Sequence, residues 1–295
     1  MKKVFKKYFI LVVILAAGAI FWGGGGLIYY YLSSPSKEFA KYFKGYASPY
    51  VEPETTFRRR LPIAQKAQAI KIITARVPVL VYHSIKPYSF TSSKQDYAFN
   101  VIPAMFDKQL KYLKNANYTA ISLATLDNNL TKGTALPKNP IIITFDDGWE
   151  TQYSRALPIL KKYGFTATFF IATDGIGQKD FLSWEQVKKL FDAGMEIGGH
   201  TESHPFLTDS TDNELEEEVS GGKKIIEEKL GQSIYAFAYP FGNYDKRVVT
   251  AVNEAGYKIA RTTDVGADQS SKELFVLRGN LIFNNLDGLE KAVGY

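Results

Sequence analysis

From Pro78 onward the chain alternates short β-branched runs with stretches of helical spacing, which leaves it few architectures. Val79-Leu80-Val81-Tyr82 reads as a strand, and Phe106, Leu110 and Leu113 follow at helical spacing. Residues 118–123 and 141–145 read as the next strands. Residues 150–163 read as a helix that Pro158 bends or restarts. A strand over 166–171, a helix over 184–193 ended by Gly194 and a strand over 196–199 come next. Thr211-Asp212-Asn213-Glu214 has the form of a capping box before a charged helix that reaches Leu230, with residues 214–218 as its solvated face. Residues 236–239, 258–262 and 277–283 complete the strand set. Strands and helices in this order predict a parallel α/β barrel or open sheet.

In such folds chemistry gathers at the carboxyl ends of the strands, and polar motifs stand there. The run Ile141-Ile142-Ile143-Thr144-Phe145 ends in Asp146-Asp147-Gly148. Adjacent strand residues face opposite sides, so one aspartate can serve a metal while the other handles a proton. His200-Thr201-Glu202-Ser203-His204 places two of the chain's three histidines at i and i+4. Such an imidazole pair, with a carboxylate and an open position, is a common catalytic zinc site. His83 follows the first strand, and Tyr239-Pro240-Phe241-Gly242 follows the sixth. Hydrolysis at a metal is the leading expectation. Two histidines and a carboxylate also make the facial triad of non-haem iron oxygenases, although the βα alternation speaks against that. Trp149, Trp184 and Tyr239 are candidates for lining a substrate groove, with core packing the alternative for each.

Charge needs dividing before it is interpreted. The net charge of the whole chain is +6, but residues 1–76 hold 13 Lys/Arg and 3 Asp/Glu, so the rest of the chain is acidic. The basic part adjoins a candidate membrane segment, where lipid headgroups account for it, and a nucleic-acid partner is not implied. Cysteine is absent, which excludes disulfides, thiolate metal sites, a cysteine nucleophile and a lipidated cysteine.

Lys2, Lys3, Lys6 and Lys7 precede residues 8–32, a stretch of 25 without a charge. About 20 apolar residues span a bilayer as a helix, and the leading lysines place the amino terminus in the cytoplasm. The expected organisation is a cytoplasmic tip and transmembrane anchor over 1–32, a proline-broken stalk over 33–76 with a short helix near 63–73, and a catalytic domain over 77–295 outside the membrane. A signal peptide cut near residues 16–19, giving a secreted protein, is the alternative.

Over residues 77–295 the chain resembles the polysaccharide deacetylases of the NodB-homology type, carbohydrate esterase family 4. That family's T-F-D-D-G motif stands here as Thr144, Phe145, Asp146, Asp147 and Gly148, and its H-[ST]-x-x-H motif as His200 to His204. The resemblance implies a distorted (β/α)7-type barrel behind the membrane helix. It makes Asp146 the general base and Asp147, His200 and His204 the ligands of a divalent metal, zinc first and cobalt or nickel next. The third motif, R-x-P-[YF], departs: Ala238 occupies the arginine position before Tyr239, Pro240 and Phe241. In the family that arginine orients the catalytic aspartate, and Arg278 is the expected substitute. The oxyanion donor maps to the amide of Phe241.

The family's late L-x-H motif is missing, since no histidine follows residue 204. The early Leu80-Val81-Tyr82-His83-Ser84-Ile85 instead resembles the permuted arrangement of poly-β-1,6-N-acetylglucosamine N-deacetylases, which makes His83 the general acid. The implied partners are an N-acetylated polysaccharide, the membrane, and proteins of polysaccharide synthesis or export. Alternatives are a peptidoglycan deacetylase or acetyl esterase, or a carbohydrate-binding homologue weakened in catalysis by Ala238.

Overall fold

The computed structural model describes residues 71–88 and 99–294. The expected anchor, the arginine run 58–60 and the stalk before residue 71 lie outside them. Among the described residues no helix is long and apolar enough to cross a membrane. The folded part reaches back before residue 77. Strand β1 (Thr74–Arg76) pairs antiparallel with β9 (Asp268–Ser270), and the Val77 amide donates to the carbonyl of Ala267 at 2.7 Å. The last residues assigned to the stalk therefore belong to a two-stranded sheet.

In chain order the main elements are β2 (Val79–Tyr82), α1 (Pro103–Asn115), β3 (Thr119–Ala120), α2 (Leu123–Lys132), β4 (Pro140–Phe145), α3 (Leu157–Tyr163), β5 (Thr168–Ile171), α4 (Trp184–Asp192), β6 (Glu196–Gly199), α5 (Asp212–Glu216), α6 (Gly222–Leu230), β7 (Ala236–Ala238), α7 (Lys246–Glu254), β8 (Ile259–Arg261), β10 (Asn280–Leu281) and α8 (Leu286–Gly294). The sheet runs β10-β2-β4-β5-β6-β7-β8, parallel throughout, with β3 beside β4. It curls into a half-barrel. Leu277, just before β10 at one edge, forms an isolated bridge with Arg261 of β8 at the other.

Several expected elements have different ends. The strand read over 118–123 is cut to two residues because Ser122 caps α2, its hydroxyl accepting from the Thr125 amide at 3.1 Å. The helix read over 150–163 is a π-helical turn (Gln152–Ala156) followed by α3, which restarts where Pro158 has no N–H to donate. The capping box at Thr211 forms as read, but its helix is interrupted by a π-helical turn at Glu217–Gly221. Such turns often mark functional positions.

Alternation along the strands sorts the core into two layers. Ile141, Ile143 and Phe145 of β4 pack with Leu80, Tyr82, Phe169 and Phe237 beneath the helices. Ile142 points into the curl with Val79, Phe170, Ala236, Ala238 and Ile259. By the same alternation Asp146, one residue beyond Phe145, enters the curl. So does Arg261, two residues after Ile259. The close approach of β5, β6 and β7 needs glycine, since a Cβ on Gly198 would lie 2.6 Å from the Phe170 ring and 2.8 Å from the Ala236 carbonyl oxygen.

Candidate active site

All the rim residues read from the sequence as metal, base or acid candidates converge. Asp146 is 3% exposed, and its Oδ2 lies 3.9 Å from His83 Nε2. Gln152, fully buried in its π-helical turn, donates from Nε2 to the carbonyls of Asp146 (2.5 Å) and His83 (3.1 Å), tying the two strand ends together. Asp147 turns the other way: its Oδ1 faces His200 Nε2 at 3.5 Å and His204 Nε2 at 3.4 Å. The donor atoms of Asp147, His200 and His204 all lie within 4.8 Å of one another.

The tautomer of His200 follows from geometry. Its Nδ1 is 2.7 Å from the Ala238 carbonyl, which can only accept, so Nδ1 carries the proton and Nε2 offers a lone pair. The His200–His204 loop is clamped by Glu218, which accepts from the Glu202 and Ser203 amides at 3.0 and 2.8 Å and from the Ser203 hydroxyl. Glu218 is therefore not part of a solvated face, as the sequence reading had it. The interrupted helix turns it toward the loop.

Electrostatics agree with a cation site. His204 has a quarter of its side chain exposed, yet desolvation, with His200 beside it, pushes its imidazole down to about 4 and keeps it neutral. Burial alone would raise Asp147, but the surrounding His200, His83 and His204 imidazoles outweigh it and hold the carboxyl well below the usual range. Backbone strain collects here too. Asp147 (φ 74°), Thr201 (69°), His204 (61°) and Phe241 (59°) are four of the seven non-glycine residues in the left-handed region among those described. A fold that maintains such conformations in one place is holding side chains in set directions.

The residue that orients Asp146 is Arg261, which the sequence reading missed. It is fully buried, pairs with Asp146 Oδ1 through Nη2, and lies over the Phe170 ring at 5.1 Å. The β7–β8 register sets Ala238 beside Arg261, so a guanidinium absent from one strand arrives from the next. Arg278 does not play this part. Its backbone pairs with Gln269, its side chain passes Gly266, and no contact joins it to Asp146.

The groove candidates divide. Tyr239 is 1% exposed, with its hydroxyl donating to the Phe275 carbonyl at 2.9 Å, so it is a core residue and not a substrate contact. Trp184 packs against the core at the start of α4 and lies under Lys229. Trp149 is at the site, but its indole N–H donates to Asp147 Oδ2 at 2.8 Å. Phe241 is 48% exposed; its ring meets His204 edge-on at 4.5 Å and stacks on Phe206 at 4.0 Å. Phe206 had not been singled out, although it stands two residues after the histidine motif.

A rim of this kind, with a buried carboxylate beside a three-donor cluster and a histidine within reach, is built for hydrolysis, and the chain is a hydrolase of the α/β class. Residues 133–260 match the polysaccharide deacetylase family model. YxkH of Bacillus subtilis (strain 168), whose name assigns it provisionally to the polysaccharide deacetylases, is 30% identical over 203 residues, which is 69% of this chain and 70% of that protein. The poly-β-1,6-N-acetyl-D-glucosamine N-deacetylase of Staphylococcus aureus (strain MRSA252) is 29% identical over 185 residues, 58% of this chain and 63% of that one. Among solved structures, the Streptococcus pyogenes deacetylase PplD in complex with acetate superposes with a TM-score of 0.68 at 28% identity, covering 75% of this chain and 99% of that one.

The chain belongs to the polysaccharide deacetylase family, whose members act on carbon–nitrogen bonds other than peptide bonds. That membership sets the oxygenase reading aside.

Proposed function

We propose that this chain is a divalent-metal-dependent N-deacetylase of a β-1,6-linked N-acetylglucosamine polymer, anchored by residues 8–32 with its catalytic domain outside the membrane. The observation that carries the reading is Asp146, paired with Arg261 and 3.9 Å from His83, standing beside the Asp147–His200–His204 cluster. The cluster fits a cation: the imidazole lone pairs and one carboxylate oxygen converge, and the tautomer of His200 is already set. Zinc suits this donor set best, with cobalt or nickel next. When bound, such an ion polarises the acetyl carbonyl and lowers the pKa of its water to about 7.

The chain's own residues do the rest. Asp146 accepts the proton of the attacking water, held in place by Arg261 and by the Gln152 bond to its carbonyl. The Phe241 amide is the donor for the developing oxyanion. His83 delivers a proton to the departing nitrogen, so the amide and one water become acetate and a free amine. The stacked Phe206–Phe241 pair offers an apolar face beside His204, which suits the face of a hexose ring. The permuted position of His83 and the likeness to the Staphylococcus aureus enzyme favour the β-1,6-linked polymer. Proteins of polysaccharide synthesis or export are its natural neighbours. The idea of a non-catalytic carbohydrate-binding homologue rested on Ala238, and Arg261 removes that ground.

The test is acetate release by the full chain in detergent on a panel of acetylated glycans. Release from poly-β-1,6-N-acetylglucosamine is expected, with loss on chelation and recovery with zinc, cobalt or nickel. Release from peptidoglycan or an O-acetylated glycan alone would overturn the substrate, and full activity after metal stripping would overturn the metal.

His83 is separable from the rest by its leaving group. His83→Ala is expected to lower turnover on the N-acetyl substrate by ~10²–10⁴-fold with metal content unchanged. Hydrolysis of an aryl acetate, whose leaving group departs without protonation, should fall far less. Equal losses on both substrates would take the acid role away from His83.

A further inference from the structure

Asp147 presents its two carboxylate oxygens to different partners. Oδ1 faces both histidine Nε2 atoms, while Oδ2 is taken by the indole N–H of Trp149 at 2.8 Å. The indole cannot swing away easily. Its ring stacks on Phe181 with centroids 4.5 Å apart and planes 19° from parallel, and the Lys86 ammonium stands over it at 6.0 Å from the centroid. The backbone on either side is fastened as well: Trp149 bridges to Phe181, the Glu150 amide donates to the Asp180 carbonyl at 3.0 Å, and the Leu182 amide donates to the Gly148 carbonyl at 2.9 Å. The residue that looked like a sugar contact in the sequence is fixed against the carboxylate.

We propose that Trp149 is a positioning residue that restricts Asp147 to one metal-binding oxygen. A free carboxylate at such a site can rotate and chelate through both oxygens, which would fill a coordination position. With Oδ2 committed to the indole, only Oδ1 joins the two imidazoles. The site keeps room for both a water and the acetyl oxygen, which hydrolysis of an amide requires at the same time. Outer partners of this kind typically change metal affinity by ~10–100-fold when removed. The inference rests on the metal-dependent reading above. Its bland rival is a packed tryptophan whose N–H merely finds a convenient acceptor.

Trp149→Phe separates the two, because it keeps an aromatic ring for the Phe181 stack and deletes only the donor and the second ring. Zinc and cobalt affinities are measured by competition with a chromophoric chelator, beside the visible spectrum of the cobalt-loaded protein and the melting temperature of the metal-free one. The expected result is ~10–100-fold weaker binding, a cobalt spectrum of lower intensity as the carboxylate closes to a bidentate, higher-coordinate site, and a nearly unchanged metal-free melt. Phe181→Leu, which removes the stack but leaves the donor, should bind metal far more like the unaltered chain. If Trp149→Phe does not fold, benzothienylalanine at position 149, which has the shape of tryptophan without its N–H, decides the matter by the same readings. Unchanged affinity and spectrum in the donor-free protein would overturn the proposal. Failure of the unaltered chain to bind zinc or cobalt would instead overturn the metal reading beneath it.

Discussion

Asp146→Asn is expected to cut acetate release by ~10⁴-fold, the upper end of what a positioned proton acceptor contributes, while bound metal stays near one per chain. The asparagine keeps the size of the side chain and loses the proton-accepting oxygen. Asp146 contacts Arg261 and His83 and is not among the clustered donors, so the metal has no reason to leave. His204→Ala should lose metal and activity together, because it removes one of the two imidazoles that face Asp147 Oδ1. Metal analysis beside an acetate assay checks both. If Asp146→Asn loses metal as completely as His204→Ala does, the division of labour between the two aspartates is wrong.

Arg261→Met is expected to lower stability and turnover together. It leaves a carboxylate that is 3% exposed without its opposite charge. Removing one partner of a buried ion pair costs about 3–5 kcal/mol, which would appear as a lower urea midpoint, and turnover should fall with it because Asp146 is no longer held. The β7–β8 register offers a rescue. Ala238 and Arg261 are neighbours on adjacent parallel strands, and neighbouring positions share a face. Arg261→Ala combined with Ala238→Arg should therefore recover part of the activity that Arg261→Ala alone loses. Near-normal turnover and stability in Arg261→Met, or an equal loss in Arg278→Met, would show that the orienting charge comes from elsewhere.

How far the sequence could be read depended on whether a feature was local. The strands at Val79–Tyr82 and Glu196–Gly199 stand where their runs placed them, and the capping box at Thr211 forms. Each depends on residues within a few positions of one another. Helix α2 was missed because its cap Ser122 and first residue Leu123 were counted into a strand, and α7 and α8 went unread. Asp146, Asp147, His200, His204 and His83 were legible because a strand must end where its apolar run ends, and polar groups at that end have one rim to occupy.

What the sequence did not disclose is which groups meet across the rim. Arg261 carried a usable signal, an arginine at the end of an apolar strand and two residues after an inward isoleucine, but nothing local says that Asp146 lies beside it. That contact joins residues 115 apart in the chain and exists only because the sheet curls until β8 approaches β4. Trp149 and Tyr239 show the same limit, since an aromatic residue near a motif can face substrate, core or ligand without any change in sequence pattern. By itself the sequence determined the βα alternation, most of the parallel strands and the rim on which the candidate side chains stand, because periodicity and strand ends are local properties. Only the tertiary structure decided that Arg261 replaces the missing arginine, that Tyr239 is core, and that Trp149 grips Asp147, because each depends on the curvature of the sheet and the packing of distant loops.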